Sequence, residues 1–444
     1  MCRLKIYMQI FLLLIVISAK AQNSNTNSPY SRFGIGEIAS NVFGQNYAMG
    51  GTSIGMRDPD HLNPNNPASY SSFDSTLIGA PFIFEFGFSN VITNLSSSND
   101  TYIGNNTNLN YLSIGYPYTK WWFGNIGLKP YSNVGYKIIT TENNPNIGNI
   151  EYCYNGSGGI NNVYIGNSFK PFKFLSIGFN ANYLYGFIKQ TNTLTFSDND
   201  NSAFNYQIEK STRISDFFYN FGIQFHHTFI NSVTEKKHRF NFGLIFDNKT
   251  NLSAKRDTLA GTIMGYNNES INYNSIIDTL RYANNVKGTI VLPRNIGVGF
   301  SYIYDNKLTV AADYSMQNWS DVTIFGINDS LSNSNRISAG IEYTPKKYNI
   351  LNGFSNFTKR VSYRFGAHYS NTYLQFISKD EQLKEFGISF GLGIPIRKSK
   401  SSINLFFEFK QRGTTEKDLI KETFGTIGVN FTMYDIWFVK RKYD

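Results

Sequence analysis

The chain has 444 residues and a formal net charge of +10, yet only 16% of it is charged, while aromatics also reach 16% (38 Phe, 30 Tyr, 4 Trp). Soluble domains average about 25% charged residues and disordered chains are poor in aromatics, so neither class fits. A mean hydropathy of -0.30, and the lack of any later apolar run of about 18 residues, exclude a bundle of membrane helices. What remains is a Tyr/Phe/Gly/Asn-rich β protein, which in a chain of this length reads as an outer-membrane barrel.

The N-terminus points to export. Arg3 and Lys5 precede the apolar run Ile10-Phe11-Leu12-Leu13-Leu14-Ile15-Val16-Ile17, and Ala19-Lys20-Ala21 supplies small residues where a signal peptidase reads. The run is too short to span a bilayer, so residues 1–21 are expected to be a signal peptide cleaved after Ala21. Of the two cysteines only Cys153 then remains, and no internal disulfide can form.

Residues 22–76 show no alternation. They contain Ser28-Pro29-Tyr30-Ser31-Arg32-Phe33-Gly34-Ile35-Gly36-Glu37, Gly44-Gln45-Asn46-Tyr47-Ala48-Met49-Gly50-Gly51 and Asn63-Pro64-Asn65-Asn66-Pro67-Ala68-Ser69. Gly, Pro, Asn and Asp at this density predict a tightly turned compact segment or short helices. About 55 residues bury little core alone, whereas the lumen of a wide barrel would enclose them.

From residue 77 onward the dominant period is two. Phe386, Ile388, Phe390, Leu392 and Ile394 alternate with Gly387, Ser389, Gly391 and Gly393, and Ile427, Val429, Phe431 and Met433 alternate with Gly428, Asn430 and Thr432. One face is aliphatic and aromatic. The other is Gly, Ser and Asn with isolated charges (Asp313, Glu342, Arg364, Glu408), as a crowded lumen behind a lipid-facing wall requires. Fourteen strands are predicted: 77–88, 108–118, 121–140, 150–169, 172–190, 213–231, 237–251, 289–305, 306–319, 335–345, 359–372, 385–397, 401–412 and 423–438. Long and short connections alternate, apart from 346–358. Short periplasmic turns and long external loops are the rule for such barrels, which puts 191–212 and 252–288 outside as loops long enough to hold a partner. The short turns carry Lys120, Lys170, Lys173, Lys236, Lys237, Lys346, Lys347, Lys398 and Lys400. They account for the positive charge without nucleic acid.

Signs of catalysis or metal binding are weak. His226 and His227 are adjacent on a strand and face opposite ways, and Asp58-Pro59-Asp60 lacks the Glu of a calcium loop. Gly34-Ile35-Gly36 has no following helix to bind phosphate. No enzyme activity, metal or cofactor is expected. Pro130 lies inside the third strand with Gly124, Gly127 and Gly135, and the next strand holds Gly156, Gly158 and Gly159. Because proline cannot donate to the ladder, this strand should bulge or unpair there.

The Gly44–Gly51 stretch, followed some twenty residues on by Asn66-Pro67-Ala68-Ser69, resembles the N-terminal hatch of the FadL-like outer-membrane transporters. The opening Ser28–Gly34 and the closing Asp435-Ile436-Trp437-Phe438-Val439-Lys440-Arg441-Lys442 are similar to a Bacteroidetes branch of that family. In the usual motif Gly stands where this chain has Ser69. The resemblance implies an all-β, 14-stranded antiparallel transmembrane β-barrel over 77–444, with an N-terminal plug, or hatch, over 22–76. Such a multi-pass protein sits in the outer membrane among lipid and lipopolysaccharide. The implied function is uptake of a hydrophobic, fatty-acid-like small molecule with a lateral opening. The gate or ligand candidates are Pro130, Gly127, Gly158, Gly159, Tyr47 and Met49, and the hatch motif is Gly50, Gly51, Asn66, Pro67 and Ala68. The alternative is a non-transporting barrel of PorV type, a partner-binding subunit of an outer-membrane secretion or assembly complex.

Overall fold

The computed structural model describes residues 25–73, 80–145, 148–196, 204–263, 276–329, 331–345, 357–376, 381–396 and 399–437. The expected signal peptide lies outside the described residues. A two-residue strand β1 (Glu37–Ile38) belongs to the N-terminal segment. The wall follows as β2 (Ala80–Ser96), β3 (Thr101–Pro117), β4 (Trp122–Asn144), β5 (Gly148–Phe172), β6 (Leu175–Phe196), β7 (Asn205–Ile230), β8 (Lys237–Asp247) and β9 (Thr250–Ile263). It continues as β10 (Ile276–Leu292), β11 (Asn295–Tyr304), β12 (Leu308–Gln317), the small hairpin β13 (Thr323–Ile324) and β14 (Ile327–Asn328), then β15 (Ser334–Tyr343), β16 (Ser362–Phe376), β17 (Glu381–Pro395), β18 (Ser402–Arg412) and β19 (Lys421–Trp437).

Each wall strand pairs antiparallel with its sequence neighbour, and β19 pairs with β2 from Lys421↔Ser96 to Trp437↔Ala80, which closes the barrel. Closure leaves no sheet edge in lipid, where an unpaired backbone group would cost several kcal/mol. β8 and β9 are one wall strand interrupted at 248–249, and β10 and β11 are another, interrupted at Pro293-Arg294. Counted so, the wall has fourteen strands, in the order the alternation predicts.

The two faces follow the sequence pattern. Phe386, Ile388, Phe390 and Leu392 are exposed on the outside, while Gly387, Ser389, Gly391 and Gly393 are buried on the lumen side. An aromatic belt marks the rim of short turns, which is the periplasmic one. There Trp121 and Trp122 stack on Phe169, and Phe172 stacks on Phe174.

Two sequence expectations are corrected. The connections 191–212 and 252–288 are mostly strand: β6 reaches Phe196 and β7 starts at Asn205, while β9 runs to Ile263 and β10 starts at Ile276. Beyond the bilayer both faces meet water, so alternation fades, although ladder hydrogen bonds do not depend on side-chain type. The described residues 318–329 and 331–333, at the connection expected over 320–334, are also not a plain external loop. They turn into the barrel mouth, where Trp319, Val322 and Leu331 join Leu184, Ile214, Leu252, Ile290 and Leu374 in a buried apolar cluster. Trp319 stacks on Tyr373 at 4.4 Å between centroids, and β13 pairs with β10 at Ile324↔Ile290.

The N-terminal segment lies in the lumen as three 3-10 turns (Pro29–Arg32, Gly44–Met49, Pro67–Ser72) and β1. Its backbone touches the wall at glycines. A Cβ on Gly366 would collide with the backbone of Met49 and Gly50; one on Gly340 would meet Met49, one on Gly243 Ile54, and one on Gly178 Pro67 and Ala68. The small lumen face of the sequence pattern is therefore the seat of the hatch. Filling one such seat costs about 1–3 kcal/mol by overpacking alone. Gly366→Leu should dislodge the hatch and let a bulky thiol reagent reach a cysteine placed at Ser53, a position with 0% exposure. That cysteine should stay unlabelled when Gly366 is kept.

Candidate functional site

The hatch is held by a few concentrated polar contacts. Asp313, on the lumen side of β12, accepts backbone N–H groups from Ser53 (2.5 Å), Ile54 (2.8 Å) and Gly55 (3.5 Å). A carboxylate gathering several N–H donors makes the stronger, charge-assisted kind of hydrogen bond. At the far side of the lumen, Arg412 of β18 pairs with Glu422 at 2.6 Å and with the hatch residue Glu37 at 3.0 Å. Ser28 donates to Glu422 at 2.5 Å and accepts from Arg412 at 3.1 Å. Burial alone would raise the Glu37 pKa; the charges of Arg412 and Lys410 outweigh it and hold the carboxyl below its usual range. Near the periplasmic mouth, His61 Nδ1 lies 3.0 Å from Glu85. Burial pulls its pKa down, but the hydrogen-bonded Glu85 carboxylate more than offsets that and leaves it raised.

The Asn66-Pro67-Ala68 box has a local role that its residue types explain. The Asn66 side chain accepts from Ala68 N–H at 3.2 Å, capping the turn, and its amide donates to the Ile54 carbonyl at 2.8 Å. Pro67 stands at the first position of the turn, where its missing N–H has no partner to lose. Ala68 is fully buried, and its carbonyl accepts from Arg57, Ser71 and Ser168. Gly50, with φ +67, ends the turn before it in the left-handed region that favours glycine.

Among the described residues the wall has a weak seam between β3 and β4. The β3–β4 ladder runs only from Leu112↔Leu128 to Pro117↔Phe123, and no register pair joins β3 above Leu112 to β4 beyond Leu128. The expected break at Pro130 is present. The register against β5 shifts between Pro130 and Ser132, as a bulge does. Gly159 and Gly158 stand opposite Asn133 and Val134. Gly158 has φ +105, and a Cβ there would run into the Phe187 carbonyl, so the kinked wall needs glycine at that point. The hatch covers the free β4 edge. β1 pairs with it at Ile38↔Ser132 and Glu37↔Asn133, Ala39 N–H donates to the Tyr131 carbonyl at 3.0 Å, and Gly135 N–H donates to Ser31 Oγ at 3.1 Å.

The structure brings four of the six gate candidates together on β4 and β5: Pro130, Gly127, Gly158 and Gly159. It does not bring Tyr47 and Met49 to them. Tyr47 stacks on Phe406 of β18 at 4.7 Å, and Met49 packs with Met56 and Ala311, so both face the other side of the lumen. The reason is the hatch itself, which crosses the lumen between them. Gly50, Gly51, Asn66, Pro67 and Ala68 all lie in the hatch–wall contact. Asp313, Arg412, Glu422 and Glu37 escaped the sequence reading as a set. Their only signal was charge on an otherwise small lumen face, as at Asp313.

Two cavities flank the hatch. One of about 300 Å³ lies on its external side, where Glu37, Asp313, Arg336, His368, Glu385, Lys410 and Arg412 surround it. The other, of about 270 Å³, lies on the periplasmic side between Asp58, Asp60, His61, Arg364 and Lys400. Both linings are rich in charge.

A family model described as BamG matches residues 2–444. No curated protein matches the chain in sequence. Among solved structures it is similar to the P. putida toluene transporter TodX, with 16% identity and a TM-score of 0.55 over 90% of this chain and 100% of that one. It is similar to the CymD monoaromatic hydrocarbon channel at 12% identity and TM-score 0.53, covering 91% and 99% of the two chains. A Pseudomonas aeruginosa FadL homologue gives 9% identity and 0.52, over 90% and 99%. These likenesses are likenesses of fold: a fourteen-stranded outer-membrane barrel of the FadL kind.

Asp313→Asn keeps the shape of the residue and removes its charge. It should weaken hatch docking by about 1.5–3 kcal/mol, the contribution of hydrogen bonds to a charged group, or roughly 10- to 150-fold in the docking equilibrium. Trypsin cleavage after the buried Arg57 should then occur at lower urea than in the wild type, with Asp321→Asn as a control at an exposed external position.

Proposed function

Since the chain belongs to the BamG family, we propose that it is a closed, non-conducting outer-membrane barrel that serves as a partner-binding subunit of an outer-membrane assembly complex. The observation that carries this reading is the state of the lumen. It is filled from the periplasmic side by a hatch fixed through ion pairs and glycine seats, and from the external side by residues 318–333. The chamber left between them is charged, whereas sites for hydrophobic ligands are mostly apolar.

A second reading, uptake of a hydrophobic small molecule, is favoured by the wall seam at Pro130 and by the FadL-channel fold. In it, Gly127, Pro130, Gly158 and Gly159 form the yielding part of the wall, and release of β1 from β4 opens a passage into the bilayer. The two readings differ in whether the hatch must move.

Ile38 and Ser132 are cross-strand partners, so their Cα atoms lie about 4.5–5.5 Å apart, within the range a disulfide bridges. The Ile38→Cys/Ser132→Cys pair, in a Cys153→Ala background, should lock the hatch on oxidation. The locked protein is expected to restore envelope integrity in a deletion strain as well as the wild type does, and to co-purify stoichiometrically with a partner in mild detergent. Loss of complementation on oxidation, regained on reduction and accompanied by a bound acyl chain in the purified protein, would instead favour uptake.

A further inference from the structure

The periplasmic turns of the barrel are basic. On the periplasmic turns Lys120, Lys173, Lys237 and Lys307 are exposed, against Glu235 and Asp305, and Asp305 already pairs with Lys307 at 2.8 Å.

On the periplasmic side the positive charge also turns inward. His226 has the strand parity of the buried Gln224 and Arg239 that of Asn241, so both stand on the lumen side of the wall; Lys170 lies at the bulge between Phe169 and Phe172, just below the buried Ser168. The hatch residue Arg57 reaches Gln224, two residues from His226 on the same strand face; Arg57 feels the charge of Arg239, Lys170 that of Arg57, and His226 that of all three. Arg57 is 6% exposed. Its guanidinium donates to the Ala68 carbonyl at 3.3 Å, to Gln224 at 3.2 Å and to Ser71 at 3.0 Å, all of them neutral. Nδ1 of His226 is buried with no hydrogen-bond partner. A buried charge is ordinarily paired, because an uncompensated one is costly. Here the neighbours named are cations, and the mouth opens to the periplasm.

We propose that the inner periplasmic rim, built from Arg57, Lys170, His226 and Arg239 with Lys173 beside them, is the docking seat for an acidic segment of a periplasmic partner protein. A lipid headgroup is the lesser fit, since lipids surround the outside of the wall while these side chains face in. The proposal rests on the complex-subunit reading and adds the chemistry of the partner. Complementary charge of this kind steers association and fixes its register.

The test uses the full mature protein in nanodiscs of neutral phosphatidylcholine and a fluorescent peptide of roughly eight glutamates, whose binding should be saturable and should weaken as NaCl rises from about 50 to about 300 mM. Lys170→Gln/Arg239→Gln should weaken it about tenfold or more, an effect of the size that removing partners from close charge pairs produces. Lys120→Gln/Lys237→Gln, which leaves the inner rim intact, should weaken it less, and the external Glu416→Gln should leave it unchanged. No saturable binding, or binding indifferent to the inner-rim pair, would overturn the proposal. So would displacement of the peptide by stoichiometric phosphatidylglycerol, which would assign the rim to lipid. Because the probe is a purified peptide, any of these failures leaves the complex-subunit reading standing on its own test.

Discussion

The contact between hatch backbone and wall backbone is the constraint on which the rest of this structure depends. A segment of about fifty residues, rich in Gly, Pro and Asn, has too little apolar surface to fold alone. It takes a defined shape because lumen-facing glycines at 178, 243, 340 and 366 let it lie directly on the barrel, and because Asp313 gathers three of its N–H groups. Aromatic packing then completes the fit. Phe43 stacks on Tyr111 at 3.6 Å, and the Gly44 N–H donates to the same Tyr111 hydroxyl at 2.7 Å. The barrel supplies the template, and the hatch supplies the filling that a barrel this wide needs.

The same docking decides what the seam at Pro130 can do. Proline and the bulge after it remove the β3 side of the β4 ladder, and in an isolated barrel this would leave unpaired groups facing lipid, which is costly. Here β1, Ser31 and Ala39 of the hatch take up those groups. Hatch position and wall integrity are therefore linked: releasing one exposes the other. The Arg412–Glu37–Glu422 cluster holds the N-terminal end of the hatch, and Trp319, Val322 and Leu331 pack into the external mouth.

Much of the fold was legible in the sequence. All fourteen wall strands stand where alternation placed them, because one face of each strand meets lipid and the other a lumen, and that difference is written at every second residue. Their external ends were not legible. Past the bilayer the two faces of β6, β7, β9 and β10 see similar surroundings, and the period fades while the ladder continues. The break at Pro130 followed from local chemistry, since proline cannot donate to the ladder. The pairing of Glu37 with Arg412 did not, since nothing local marks partners so far apart in the chain. Tyr47 and Met49 were grouped with Pro130 only by analogy, and three dimensions separate them. Trp319 was expected at the end of a strand and Val322 in a loop, because four or five apolar side chains without a period do not announce the cavity they fill.

Hydrogen exchange tests the central claim most directly, because it reports how often each backbone N–H opens. If the hatch is a permanently docked part of the barrel, the amides of Ser53, Ile54, Gly55, Ala68 and Ser69 in the purified, nanodisc-embedded protein should exchange as slowly as those of β5 and β6. Exchange of the hatch amides within seconds, while the wall stays protected, would contradict the account and make the hatch a loosely held, mobile plug.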